Sequence, residues 1–558
     1  MAAIITNKLR IFNAQEFLQS INRSAPIWQA NSTYAEGDIV VKDENLFIAV
    51  EVTGNSGSNG PTPSSLIDGG VTWIHQGLAV YNNLFMAIAK HTAWTSDANP
   101  PTPEDSIGYG YSVKSDTLAM KKINFSDMTL AIPRINWTSG RVYTMYEHDS
   151  PEEIIPNGYV MTEASNQYNV YKCINNQKYI DDTVGVQEIA SVNKPTTTST
   201  TTLEQTADGY VWKYMYSIEL AKALKFLTKD YIPVDRIIYN PNSAGTAEQV
   251  QYDVQVASST TPGEIEWVKI LPNETGGSAS GGSGYHPNIS RTGSIDLSGG
   301  NTFSITNIED TSADYTGYHV VDLDTNLQFE ITQWQVTGTT AAVTVNGTFS
   351  GTGKSIIVAP GISVTGNGTG FSAYGIVTIN KVSSIVVSNE GTNYTNIDSA
   401  TINTTHLPAF DSNGDANVNA CKVKPIISPD QGHGNNAIEE LGGYYCMVAM
   451  RLEYDEQATR NNSQGVSTTK VMFPVTGNES AFRQIAIVAD PKEATGAPDY
   501  PPATQTLYRG PKHPDFGTTD EEPFDVLTGS GKVLYTENRQ PVSRAVDQIE
   551  DIKVVFEF

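Results

Sequence analysis

The stretch that most invites a chemical reading is residues 350–355, SGTGKS, which has the composition of a phosphate-cradling loop. That motif needs four residues between its first Gly and the Gly-Lys pair, whereas five separate Gly347 from Gly353. The β-branched run that follows, SIIVAPGISV, predicts a strand where a helix N-terminus should hold phosphate, so a β-turn is expected. In DSNGDAN, residues 411–417, Asp411, Asn413 and Asp415 have the opening spacing of a calcium loop. Ala416 stands where that loop needs Gly and Lys422 where it needs a bidentate Glu, which leaves a polar turn. The eight histidines form no HxH or HxxxH pair, and His433, within QGHGNN, reads as a loop histidine. There is no GxSxG elbow. Acidic pairs such as Asp322 with Asp324 arise by composition in an acidic chain, and two-carboxylate hydrolysis depends on a spatial separation that spacing does not give. Cys173, Cys421 and Cys446 are odd in number and far apart, which argues against a disulfide framework or a zinc cluster and for folding in a reducing compartment. No catalytic residue, metal site or cofactor is therefore expected, and the chain is not expected to be an enzyme.

What the sequence does specify strongly is strands. In YVWKYMYSI, Tyr210, Trp212, Tyr214 and Tyr216 fall with Ile218 on one face, predicted to be core, while Lys213 and Ser217 fall on the other. In FRQIAIVAD both faces are apolar at the centre, Ile485 and Ile487 against Ala486 and Val488, as in a strand covered on two sides. DIKVVFEF aligns Ile552, Val554, Phe556 and Phe558, predicting a strand that reaches the last residue. Helical signals are few. Asn13 with Glu16 reads as a capping pair, with Phe12 and Phe17 at staple spacing, and IELAKALKFL from Ile218 is a second candidate.

At 558 residues the chain exceeds one core, which rarely grows beyond roughly 250–300 residues, so two to four domains are expected. Acidic residues number 61 against 35 basic ones, a net charge of -26 that repels phosphate backbones and anionic membranes. Neither nucleic acid nor membrane insertion is expected. The first residues lack the apolar run of a signal peptide, and no stretch reaches the roughly 18 apolar residues of a span. Asn-x-Ser/Thr triplets at Asn31, Asn136 and Asn367 then reflect composition alone. Composition shifts twice, marking 26–79 and 243–427 as inserted all-β modules within a discontinuous core of 1–25, 80–242 and 428–558. Within the longer insertion GGSGYHPN and NEGTNYTN hint at a degenerate repeat, and the Thr-rich tract at 196–202 reads as an exposed loop.

In the first module, Trp28, YAEGDIV from Tyr34, LFIAV from Leu46, TGNSGSNGPTP and VTWIHQG around Trp73 follow a recognisable order. The module resembles the small aromatic-rich β modules of chitin-binding type found in phage tail proteins and polysaccharide hydrolases. That resemblance implies Trp28, Tyr34 and Trp73 as carbohydrate contacts; a domain of this size also needs its large aromatics as core, which is the preferred expectation.

Three further segments, ADGYVWKYMYSI from Ala207, AFRQIAIVADPKEA from Ala481 and GKVLYTENRQPVSRAVDQIEDIKVVFEF from Gly531, carry a second likeness. Weaker similarity covers ITNKLRIF, LFMAIAKHTAW through NPPTPEDS, AIPRINW and NVYKCI. Together, in order, they resemble the baseplate wedge subunit family, gene product eight, of T-even-like contractile-tailed bacteriophages. The resemblance implies a mainly β fold, a multilayer β-sandwich core with long loops and few short helices. It also implies a non-enzymatic homodimer contacting other wedge proteins in the virion tail baseplate, made and assembled in the bacterial host cytoplasm. Arg539 and Arg544, in YTENRQPVSR, become candidate subunit contacts, because a guanidinium forks carboxylates well at interfaces. The alternative is a tail adhesin that binds a host-surface glycan through 26–79.

Overall fold

The computed structural model describes residues 6–22, 27–43, 45–78, 83–149, 157–176, 179–181, 185–187, 189–258, 262–271, 281–282, 284–402, 421–453, 456–461, 467–473, 481–494, 506–517, 525–543 and 549–558. They form mostly antiparallel strands in several sheets, with a few short helices. The chain groups into two compact units, one of residues 1–134, 219–244 and 442–558, the other of 135–218 and 245–441.

The first unit is built on two sheets. Five strands run in the order Leu507–Arg509, Thr117–Lys122, Leu84–Ala89, Ala481–Ala489 and Lys532–Ser543. Four more run Tyr231–Val234, Met128–Pro133, Tyr445–Leu452 and Glu550–Glu557. The central strands are apolar on both pleat faces: Ile485, Ala486, Ile487 and Val488 are all buried, as are Cys446, Met447, Val448 and Ala449. Each buried Ile, Val or Met among them contributes about 1.5–3 kcal/mol on leaving water, which ties these runs to the interior. The opening helix spans Asn7–Asn22, so Asn13 is an interior residue and not the cap. The first-turn donor of Leu9 is instead met by Thr6 Oγ1 at 3.4 Å. Phe17 packs on the C-terminal strand, 5.7 Å from the Phe556 ring and 5.2 Å from that of Phe558. The second helical candidate forms the helix Leu220–Phe226, following directly on the strand Val211–Glu219, and a further helix, Ile107–Ser115, lies between the opening helix and this one in the chain. Residues 26–79 contribute a four-stranded sheet in the order Ile39–Lys42, Asn45–Val52, Val71–Leu78 and Ile67–Asp68.

In the second unit, Val211–Glu219 lies between Glu204–Gln205 and Gln167–Asn175, with Tyr159–Ala164 beyond. A six-stranded sheet (residues 289–359) and a four-stranded sheet (361–402) share one apolar core that includes Tyr318, Val320, Val343, Ile356, Ile362 and Ala373. The strand Lys354–Ala359 begins inside the SGTGKS stretch, and Lys354 pairs with Asp322 at 3.2 Å. Residues 411–417 lie outside the described residues.

Candidate functional site

Arg539 sits on Lys532–Ser543, at the edge of the five-stranded sheet. Its guanidinium forks Glu537 of the same strand at 2.7 and 3.0 Å, and its carbonyl accepts from Trp94 Nε1 at 3.2 Å. Arg544 lies outside the described residues. The loop that follows Leu84–Ala89 is strapped along this edge. Arg483 forks Asp97 at 2.8 and 2.9 Å, Asn538 Nδ2 donates to the Pro101 carbonyl at 2.7 Å, and Gln540 Nε2 donates to that of Ala98 at 3.1 Å. The hydrogen bond from Arg483 holds the Asp97 carboxyl below its ordinary range. Of these contacts, the one from Trp94 takes up a main-chain carbonyl of the edge strand, the kind of group a bare edge would present to another chain.

Trp73 is 1% exposed and forms the centre of the small module's core with Val40, Phe47, Ala49 and Val71. Tyr34 meets it edge-on at 5.1 Å and Trp28, under the Lys42 ammonium, packs on the same cluster. Tyr34 Oη also accepts the Gln29 N–H at 2.7 Å. The three aromatics are thus drawn into one core.

Tyr210, Trp212, Tyr214 and Tyr216 are all buried. Tyr210 stacks on Trp212 at 5.5 Å, and Tyr143 closes on Trp212 edge-on at 5.6 Å. The opposite pleat face is buried too, Lys213 and Ser217 included. Ser217 is accommodated by Tyr214 at 2.6 Å and Asn169 at 2.7 Å.

Sequence reasoning missed a polar cluster inside the second unit. Lys172, wholly buried on Gln167–Asn175, directs its Nζ at Glu440 Oε2 and at His433 Nδ1, 3.1 Å away, beneath the Tyr146 ring. Burial pushes the Glu440 carboxyl up, against the pull of Lys172, and pushes His433 well down toward the neutral imidazole. Nearby, burial and a hydrogen bond from Glu264 push Glu390 up to about 7. No spacing rule joins residues so far apart in the chain; the one visible signal was a Lys in an otherwise apolar strand, NVYKCI. Burial also lifts the thiols of Cys421 and Cys446 to about 12, which suppresses the nucleophilic thiolate. Among the described residues no three His, Cys, Asp or Glu side chains are grouped to hold a metal ion.

Interior strands in several sheets, and polar side chains engaged with their own chain, describe a β-rich protein organised around its packing. Residues 445–558 match the profile of the family described as Bacteriophage T4, Gp8. The chain is also 36% identical over 93 residues to the baseplate wedge protein gp8 of Enterobacteria phage T4, a match covering 16% of this chain and 24% of that protein. The match thus spans about a quarter of the relative's length. The C-terminal segment carries the likeness to the gene product eight family that the sequence motifs implied.

Proposed function

We propose that this chain is a structural subunit of a phage tail baseplate wedge, located in the virion and assembled as a rigid homodimer that links other wedge proteins. The carrying observation is where the matched segment goes. Residues 445–558 contribute Tyr445–Leu452 and Ala481–Ala489, the largely buried central strands of the four-stranded and five-stranded sheets of the first unit. Similarity there is similarity of the load-carrying interior, which is what a building block requires. The role is mechanical: rigid bodies of this kind move relative to one another when an assembly changes shape. The edge strand Lys532–Ser543, with Arg539, is the proposed subunit-facing element. The division into a discontinuous core with modules at 26–79 and 243–427 is part of the same proposal.

The test is assembly. Phage whose copy of this chain is interrupted before residue 445 should yield tails without complete baseplates by electron microscopy, with restoration by the intact chain supplied in trans. Intact baseplates in its absence refute the proposal. Light scattering on the purified chain should give twice the chain mass, and a stable monomer removes the dimer.

A further inference from the structure

The cluster around Lys172 has the composition of a reaction centre but is closed to substrate. Lys172 and His433 are each 0% exposed. Four parts of the chain converge: the strand Gln167–Asn175, Tyr146, Glu266, and the turn carrying His433 that leads into the helix Ala437–Glu440. The Lys172 amine touches Glu440 Oε2, lies 3.1 Å from His433 Nδ1, and is 4.4 Å from the centre of the Tyr146 ring. The imidazole is held in place by its own backbone N–H, which donates to Glu266 Oε2 at 3.2 Å, and by the Tyr146 ring, edge-on at 4.7 Å. Its Nε2 has no hydrogen-bond partner among the described residues, the same Glu266 oxygen lying 3.8 Å away.

A wholly buried amine set against a carboxyl with little access to solvent is a costly ion pair, and condensation starts from the neutral amine and the neutral acid. Those are the reactants of an amide condensation, already in contact, and the Glu440 side chain, 13% exposed, leaves a way out for the water produced. We propose that Lys172 and Glu440 condense to an intramolecular isopeptide bond, with His433 moving the proton. Lys172 Nζ attacks Glu440 Cδ, and a bond forms between them. His433 Nδ1 takes a proton from the attacking nitrogen and returns it to the departing oxygen. The Cδ–Oε bond then breaks and one water leaves, so that Lys-NH2 and Glu-COOH become Lys-NH-CO-Glu plus H2O, with no oxidant or co-reactant. Burial raises the Glu440 carboxyl, which favours the protonated acid the reaction needs. The product links positions 268 residues apart in the sequence, turning a packing contact within the second unit into a covalent one.

The full-length chain decides the matter by mass spectrometry. The expected result is an intact mass lower by one water than the sequence requires, a branched tryptic peptide joining Lys172 to Glu440, and no cleavage after Lys172. A mass at the sequence value, with linear peptides ending at Lys172, overturns the proposal. His433→Gln is expected to lose the mass deficit while keeping the wild-type circular dichroism spectrum. A folded His433→Gln chain that still carries the deficit overturns the role given to His433. If that variant does not fold, the wild-type mass alone settles the bond.

Discussion

Gly529 and Gly531 flank the turn into the edge strand Lys532–Ser543, and they allow conformational strain to be separated from steric overlap. Both are left-handed, φ +80 and φ +79. Alanine at either position should therefore cost about 1–2 kcal/mol for holding an L-residue there. A Cβ at Gly529 would meet nothing nearer than Tyr111 Cε1 at 3.7 Å, an ordinary contact. A Cβ at Gly531 would lie 2.6 Å from Val488 Cγ1 and 3.0 Å from the Ala489 carbonyl oxygen. Val488 is fully buried in the neighbouring strand, packed in a cluster with Phe85, Ala486 and Tyr508. Overpacking of this kind adds about 1–3 kcal/mol. Gly531→Ala should thus destabilise the first unit by about 2–5 kcal/mol and Gly529→Ala by about 1–2 kcal/mol. Hydrogen exchange of peptides covering Ala481–Ala489 and Lys532–Ser543 in the full chain reads the difference directly. A gap of about 1.4 kcal/mol is a factor of ten in opening equilibrium, so the added cost of about 1–3 kcal/mol should lower protection in Gly531→Ala by roughly 5-fold to 150-fold below that in Gly529→Ala. Equal losses in the two variants would refute the packing of this turn against Val488.

In the second unit, Trp212→Ala should cost about 3–5 kcal/mol, since it removes a buried indole between Tyr210 and Tyr143. Trp212→Phe should cost far less, because it also removes an indole N–H that has no partner among the described residues; equal damage in urea melts would contradict this. Glu390 is raised to about 7 by burial, with Glu264, Glu266 and Lys213 facing it. A raised folded pKa contributes stability that is complete below the unfolded carboxylate value and is lost as pH rises toward and through 7. Exchange protection of the strand Lys381–Thr392 should therefore fall from pH 5 to pH 8 more steeply in wild type than in Glu390→Gln, and identical profiles would count against it. Asp97 is lowered, so its contribution is present above the ordinary carboxylate range and lost on acidification through its folded value. Asp97→Asn should speed exchange in residues 91–98 at neutral pH, with the difference from wild type vanishing in strong acid; a difference that persists there would show that Asp97 acts through something other than its charge.

Legibility in the sequence followed how local each signal was. FRQIAIVAD carries its environment in its own residues, because an apolar run on both pleat faces has only one place to go, and Ala481–Ala489 is indeed buried on both. YVWKYMYSI was harder. Lys213 and Ser217 fall on the face opposite the aromatic one, about which the alternation says nothing further, and the structure buries both and meets their polar atoms with groups distant in sequence, among them Thr200 and Asn169. The opening helix starts six residues before Asn13 because Thr6 supplies its first acceptor, a cap that the Asn13–Glu16 pair concealed. The Lys172, Glu266, His433 and Glu440 cluster had no local signature, since tertiary folding alone brings those positions together.

The register of the matched segment leads to a last expectation. Although the family match is confined to residues 445–558, those residues do not complete their own sheets. Ala481–Ala489 takes one partner, Lys532–Ser543, from inside the segment and the other, Leu84–Ala89, from far upstream. Tyr445–Leu452 likewise pairs with Glu550–Glu557 inside and Met128–Pro133 outside. Cut free, the segment would bare two ladders of unpaired N–H and C=O groups beside the apolar faces of Ile485, Ile487, Met447 and Val448, an arrangement prone to aggregation. A 445–558 fragment expressed alone should be insoluble or unfolded, and residues 84–134 should be required in the same chain for protection of either central strand. A soluble 445–558 fragment with native-like exchange protection would show that the family segment folds independently, and the upstream strands would then be an addition to it instead of part of its core.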